Sequence, residues 1–382
     1  MNKLIYFLLV FGCMLLTSCV GEVAPGPEVS DCNTSVYQVP NASFYDSLLR
    51  EYWLETGSPG VVAMISQPGN TWAGAVGQAD LENGTAMQTC HQFQIGSISK
   101  MFTAATVLLL QEDGKIDIDE KVSTYLPQLR GNIEHVDVMT VRQLLNHTAG
   151  VPDYYFMQAY ILDMMNDPLS IKRSAKEALR KYNYGKKADF FPGEGWNYSN
   201  SGYVMLGWII AEVTKKPFEA VVKEKVIDPL GLTDTYMVDF RNPRRAKNYV
   251  DLSGKGVLIE SSKYDDDVIG TPEGGVVSTV QDLTAFARGL FSGGLLKAES
   301  LSEMMFVPCE PDAIDEGVCG YTLGLSYWKN TAYGDAFGHS GGEVGMESLL
   351  LYFVDHDAVG VFFRNRNGPS RKQFLFDMLM KE

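Results

Sequence analysis

Apolar positions set the order of elements along the chain. Residues 44–55 repeat at the helical period and predict a helix that turns Phe44, Leu48, Tyr52 and Trp53 inward. Two short apolar runs follow at 60–65 and 72–77, around Gln67-Pro68-Gly69-Asn70, and read as paired strands. A third, Phe93-Gln94-Ile95, stops at Gly96 and passes straight into a helical stretch from Ser97 through Lys100 and Met101 to Leu110. That helix is apolar on nearly every side, so it belongs in the middle of the fold, with Gly114 as its left-handed stop.

From there the period is helical at 140–146, 155–165, 170–182, 200–213 and 218–226. After Gly274 the order changes to a helix at 279–290 and strands at 321–328, 347–354 and 358–364, the last two joined by Asp355-His356-Asp357. Strands near both ends with helices between predict an α/β domain made from both ends of the chain, 43–115 and 270–382, with a mostly helical inserted domain at 116–269. No internal repeat or low-complexity segment interrupts this pattern.

Composition narrows the setting. The 382 residues are ample for a buried core, and a formal net charge of −15 argues against a nucleic-acid partner. Residues 1–18 carry one charge, Lys3, before an apolar run, which is the form of a secretory signal peptide. The run ends Leu16-Thr17-Ser18-Cys19, similar to a bacterial lipobox, which implies a lipidated Cys19 and a membrane-anchored protein facing the periplasm or cell surface. Ordinary signal cleavage, with Cys19 a bystander, is the alternative. Residues 19–42, with Pro25, Gly26, Pro27 and Pro40, then read as a tether. Cys32, Cys90, Cys309 and Cys319 remain, an even number suited to disulfides in an oxidising compartment. Of the three connectivities four cysteines allow, Cys309 with Cys319 and Cys32 with Cys90 are favoured. Neither Cys-x-x-Cys nor His-Glu-x-x-His spacing occurs, so no metal site is expected.

The chemistry gathers at Ser97. At the start of a helix it meets unpaired amide hydrogens and a dipole that favour negative charge. Lys100 lies one turn on, above Ala104 and Leu108, so its amine should be desolvated, its pKa lowered, and a proton shared with Ser97. Ser326-Tyr327-Trp328-Lys329 has the same spacing, but it alternates like a strand and puts its serine and lysine on opposite faces.

Two glycine-rich loops offer partners. In 191–202, Tyr198 and Asn200 are two apart, on one face of an extended backbone, a phenol to move a proton and an amide to hold a carbonyl. The plainer alternative makes Tyr198 packing and Asn200 a helix cap. In Phe337-Gly338-His339-Ser340-Gly341-Gly342, just before a predicted strand pair, glycines let backbone approach a ligand and present an amide to it. His91, His135, His147 and His356 read as structural. Gly338 to Gly342 also fits a Gly-x-Ser-x-Gly elbow on Ser340, but no helix follows it, and Asp355 and His356 are neighbours in a turn.

Together, Ser97-x-x-Lys100, Tyr198-x-Asn200 and His339-x-Gly341 resemble the serine β-lactamase and penicillin-binding protein superfamily. Stretches 114–129, 144–150, 228–232 and 274–279 look like its class C branch. The resemblance implies a β-lactamase/transpeptidase-like fold, with an antiparallel sheet flanked by helices. It makes Ser97 an acylated nucleophile, Lys100 its proton partner and Tyr198 the general base and acid. Asn200, His339 and Gly341 would bind substrate, and the amides of Ser97 and Gly342 would form an oxyanion hole. Histidine at 339, where many β-lactamases have lysine, resembles the peptidase members. The implied activity is that of an exported serine hydrolase, D-alanyl-D-alanine carboxypeptidase-like or a D-amino-acid peptidase, working through an acyl-enzyme without a cofactor. A β-lactamase or esterase on the same site is the nearest alternative, and a non-catalytic penicillin-binding sensor the other. The substrate is thus a small peptide, β-lactam or ester, with Tyr154, Tyr155, Trp196 and Trp328 as candidate pocket walls.

Overall fold

The computed structural model describes residues 41–166, 175–238, 242–262, 270–307, 320–331 and 333–368. The predicted signal and the tether through residue 40, with Cys19 and Cys32, lie outside the described residues, as do Cys309 and Cys319, while Ala42, expected to end the tether, already opens a helix. Cys90 is disulfide-bonded.

Strands β1 (Gly60–Gln67), β2 (Asn70–Asp80) and β3 (Thr85–Ala86) come from the N-terminal part. They join β8 (Ser326–Thr331), β9 (Gly334–Glu343), β10 (Met346–Phe353) and β11 (Ala358–Arg364) in one antiparallel sheet of seven. Its order is β3-β2-β1-β11-β10-β9-β8, so β1 pairs with the last strand, Val61 opposite Arg364. Alternation along β1 sends Val61, Ala63 and Ile65 to one apolar cluster and Val62 and Met64 to another, one on each face.

Helix α1 (Ala42–Thr56) covers the first cluster. The sequence pattern favoured Phe44 and Leu48 as its inward residues, whereas Tyr45, Leu49 and Tyr52 are the buried ones and Phe44, Leu48 and Trp53 flank them. Tyr45 lies 5.3 Å from the Trp72 ring on β2, and that aromatic contact sets the rotation of the helix. Trp328 packs in this same cluster, so it walls no site built around Ser97.

The other face carries the large core. Helix α2 (Ser99–Glu112) is buried almost throughout, as its composition requires, each fully buried leucine contributing roughly 1.5–3 kcal/mol. Around it pack α3 (Val122–Tyr125), α4 (Val141–Leu145), α5 (Gln158–Asn166), α6 (Ala175–Asn183), α7 (Asn200–Thr214) and α8 (Phe218–Val222). This helical stretch also holds a two-stranded ribbon, β5 (Tyr249–Val250) with β6 (Ile259–Glu260). Short strands β4 (Phe93–Gln94) and β7 (Val277–Ser278) pair before α9 (Val280–Phe291) packs across the main sheet, and α10 (Ala298–Met304) follows.

Two expectations need correction. Residues 321–325 are not strand: Gly324 at φ +80° passes so close to α2 that a methyl on it would lie 2.5 Å from the Ala104 Cβ. The segment 337–342 does not precede the strand pair but lies inside β9, paired with β10 from Phe337 opposite Tyr352 to Gly342 opposite Glu347.

Candidate active site

Ser97 sits in a tight turn held from both sides. The β4–β7 pair brings the chain in, the Ile95 amide donates to the Val276 carbonyl at 2.9 Å, and the Val276 amide donates to Ser99 Oγ at 3.0 Å. Across the turn lies β9: a methyl on Gly96, at φ +51°, would come within 2.7 Å of the Gly342 nitrogen. Ser348 Oγ donates to the Ile95 carbonyl at 2.8 Å, and a side chain at Gly341 would strike that carbonyl at 2.0 Å. Gly341 is therefore the close contact that seats the turn.

The first turn is 3₁₀ from Gly96 to Ile98, and α-helix begins only at Ser99. A 3₁₀ turn eclipses positions three apart, so Lys100 comes directly over Ser97. Its Nζ donates to Ser97 Oγ at 3.1 Å, to Asn200 Oδ1 at 2.7 Å and to the Glu273 carbonyl at 2.7 Å. Lys100 is wholly buried, whereas Ser97 is partly accessible. Burial lowers the lysine pKa to about 8, and the carboxyl groups of Glu273, Asp153 and Glu343 oppose a further fall.

Asn200 is not the cap of α7. Ser199 is, accepting the Gly202 amide at 3.2 Å, which leaves the Asn200 amide to take Lys100 on its oxygen and to donate to Asp153 Oδ2 at 2.9 Å. The Tyr198 hydroxyl is buried, has no hydrogen-bond partner among the described residues, and is influenced by Ser97 beside it. Burial pushes its pKa well above the ordinary phenol value, with Ser97 acting the other way. Lys100 Nζ lies 4.9 Å from the centre of its ring.

His147 stands on another side of that phenol, its ring centre 4.3 Å away. The Ser199 amide donates to His147 Nδ1 at 3.2 Å, so the ring proton is on Nε2, which has no partner among the described residues. The Asn197 amide donates to the His147 carbonyl at 3.2 Å, so this residue grips the segment on both sides of Tyr198. It does so at φ +65°, a backbone state with a steric cost for any residue bearing a Cβ. Sequence reasoning placed His147 among the structural histidines, and holding the Tyr198 segment is such a role; its place in the stretch 144–150, two residues past the end of α4, was the available signal for its nearness to the site.

His339 is 3% exposed and has both nitrogens engaged. Nδ1 donates to the Ser340 carbonyl at 2.5 Å, which leaves Nε2 to accept from the Tyr321 hydroxyl at 3.0 Å. Tyr321, also missed in the sequence, packs on His147 and Tyr198 as well. Gly342 is exposed at the edge of the site. Of the expected pocket walls, Tyr154 donates to Glu273 Oε1 at 2.7 Å, Tyr155 donates to Glu343 Oε2 at 3.0 Å, and Trp196 packs near His147 and Tyr321. Ser326 and Lys329 lie in β8, and Ser340 lies in β9 without a following helix, so neither rival serine has a helical turn beneath it. Among the described residues no group of His, Cys, Asp and Glu is placed to hold a metal ion.

Fold and site together define a class, a serine and a lysine on one turn facing a tyrosine and an asparagine between a sheet edge and a helical region. The chain belongs to the β-lactamase family of serine hydrolases, whose sequence model, described as Beta-lactamase, matches residues 45–378. It is 28% identical over 304 residues to Penicillin-binding protein 4* of Bacillus subtilis (strain 168), covering 76% of this chain and 64% of that protein. Among solved structures it is similar to a D-stereospecific amidohydrolase from Streptomyces sp., with TM-score 0.77 and 29% identity over 88% of this chain and 98% of that one. It is similar too to the D-amino acid amidase from Ochrobactrum anthropi SV3 complexed with L-phenylalanine amide, with TM-score 0.71 and 27% identity over 85% and 91% of the two chains.

Proposed function

We propose that this protein is a hydrolase of amide bonds in small D-amino-acid derivatives, peptides above all, acting through an acyl-enzyme on Ser97. The observation that carries the proposal is the 3.1 Å contact between Ser97 Oγ and a fully buried Lys100, whose pKa burial lowers to about 8. As a free amine, Lys100 takes the Ser97 proton while the Oγ–carbon bond forms. The oxyanion then meets the amides of Ser97 and Gly342, which the packing of Gly96 against Gly342 brings close together. Tyr198, expected from sequence as both base and acid, has a phenol whose raised pKa keeps it protonated at neutral pH, which suits the role of proton donor to the leaving amine. Asn200, its amide oriented by Asp153, holds Lys100 and the incoming carbonyl group. His339, with both nitrogens tied, shapes the wall through Tyr321 more than it offers a free charge. Water then hydrolyses the ester and frees Ser97.

The names of the Streptomyces and Ochrobactrum proteins support the D-configuration and the amide bond. Export and lipidation at Cys19 belong to the same proposal and rest on the first 19 residues of the sequence. The test is to incubate protein and Ser97→Ala with D-alanyl peptides, D-amino-acid amides and a fluorescent penicillin, following product release and intact mass. Release of D-products that disappears in Ser97→Ala supports the proposal. Turnover of penicillin or simple esters alone makes the protein a β-lactamase or esterase instead, and a permanent penicillin adduct without any turnover makes it a sensor.

A further inference from the structure

One acid in the site has no part in the scheme above. Glu273 lies in the loop before β7 that docks on α2: Thr103 Oγ1 donates to the Pro272 carbonyl at 2.7 Å, and Lys100 Nζ to the next carbonyl, that of Glu273, also at 2.7 Å. Its side chain is turned inward and only 4% exposed. Oε1 accepts the Tyr154 hydroxyl at 2.7 Å, and Oε2 is buried with no hydrogen-bond partner among the described residues. An ionised carboxylate with a bare oxygen in such a place is costly, whereas a carboxylic acid carrying its proton on Oε2 loses far less.

We propose, resting on the roles given to Ser97 and Lys100 above, that Glu273 is a positioning residue for the Lys100 proton. The two buried groups hold one proton between them: an ionised Glu273 keeps it on Lys100, and as it passes to Glu273 the amine beside Ser97 is freed. Other groups face the pair from every side: Asp153, Tyr154, Tyr155 and Tyr160 from the segment before and within α5, and Tyr198 and Tyr203 at the start of α7. His147 follows α4, and Tyr321, His339 and Glu343 come from the β8–β9 side. Asp153 and Glu343 are only partly buried and each has a side-chain donor, Asn200 and Tyr155 respectively. Glu273 alone of the three acids is closed off from water, and its charge acts on Lys100 more strongly than theirs. Burial raises the Glu273 pKa and lowers that of Lys100, so the two titrations converge.

The test reads the rate at which an alkyl fluorophosphonate modifies Ser97, by intact mass, as a function of pH. Serine oxygen bonds to phosphorus, fluoride leaves, and the serine proton goes to Lys100, so the acidic limb of the profile reports the free amine. Glu273→Gln keeps the shape and the acceptor for Tyr154 but holds no charge; the limb should move about one unit to lower pH. Glu273→Asp should stay near the wild-type limb, and Tyr154→Phe, which removes a donor to the carboxylate, should move it the same way as Glu273→Gln but less. A Glu273→Gln protein that melts normally and reacts more slowly with its limb unmoved, or moved upward, overturns the proposal in favour of packing alone. Should Glu273→Gln not fold, Tyr154→Phe decides: an unmoved limb overturns the proposal. Modification that persists in Ser97→Ala overturns the reading of the nucleophile itself, a separate outcome from a wild-type limb that ignores Glu273.

Discussion

Two buried bases flank the Tyr198 phenol, and the fold treats them in opposite ways. Lys100 and His147 are both sealed from water, at 0% and 2% exposure, and desolvation is the largest influence on each. Around Lys100 stand three carboxyl groups that pull its pKa back up, so it ends near 8. Around His147 stand, among the described residues, no carboxyl groups but two other bases, Lys100 and His339, whose protonated forms repel a charge on it, so its pKa falls well below 6.5. Burial beside other bases therefore makes a base silent; burial beside acids makes one that titrates where an enzyme works. The lysine is placed to change its charge and the histidine to keep a neutral ring in place.

The most severe way to break this contrast is to remove the titrating base. Lys100→Met should lower kcat/KM on any substrate the protein turns over by roughly a thousandfold or more. The same variant sharpens the comparison through stability. Wild-type Lys100 falls from 10.5 in the unfolded chain to about 8 in the fold, so between those values the unfolded chain binds the extra proton and stability rises with pH. A melting-temperature series should show that rise in wild type and lack it in Lys100→Met.

Tyr198→Phe should cost about a hundredfold in kcat with little change in KM, since the lost proton donor acts in the transition state. His147→Gln removes both the ring against Tyr198 and the acceptor for Ser199, and should destabilise the fold by about 1–3 kcal/mol in a denaturant titration. His147 has its pKa depressed by folding, so in wild type it takes stability away as pH falls below 6.5, and the variant should lose that part of the acid sensitivity. The smallest effect concerns the lead-in to His147. Thr140 caps α4 in a reciprocal pair with Gln143, at 3.3 and 3.0 Å, and Thr140→Ala should cost about 1 kcal/mol with the pH profile of the reaction unchanged.

Ser97 and Lys100 were legible in the sequence because their contact is local, three residues along one turn, and Tyr198 and Asn200 because a loop of glycines announced them. Four of the seven sheet strands, β1, β2, β10 and β11, were legible from apolar runs at the two ends of the chain, whereas glycine-rich β9 was not. Glu273 was not, because nothing local marks a glutamate as buried; only a contact spanning 173 residues puts it behind Lys100. Tyr321 was concealed by its own surroundings, since 321–328 alternates as a strand should and only the left-handed Gly324 breaks it. The face of α1 was misjudged for a related reason: Phe44 and Leu48 fit the period as well as Tyr45 and Leu49, and Trp72, far along the chain, made the choice.

The insertion of β11 between β1 and β10 has a consequence in time. Synthesis runs from the N-terminus, so the Ser97 turn and the helix behind it are made long before the strand that completes their sheet and the strand that walls their cleft. A growing chain thus carries Ser97 without the Gly342 backbone opposite it, and β1 without its inner neighbour. Long-range pairings of this kind close late and together. Reactivity should therefore switch on as a single event once residues near 364 have emerged, which keeps a hydrolase inert along the whole route by which it is made.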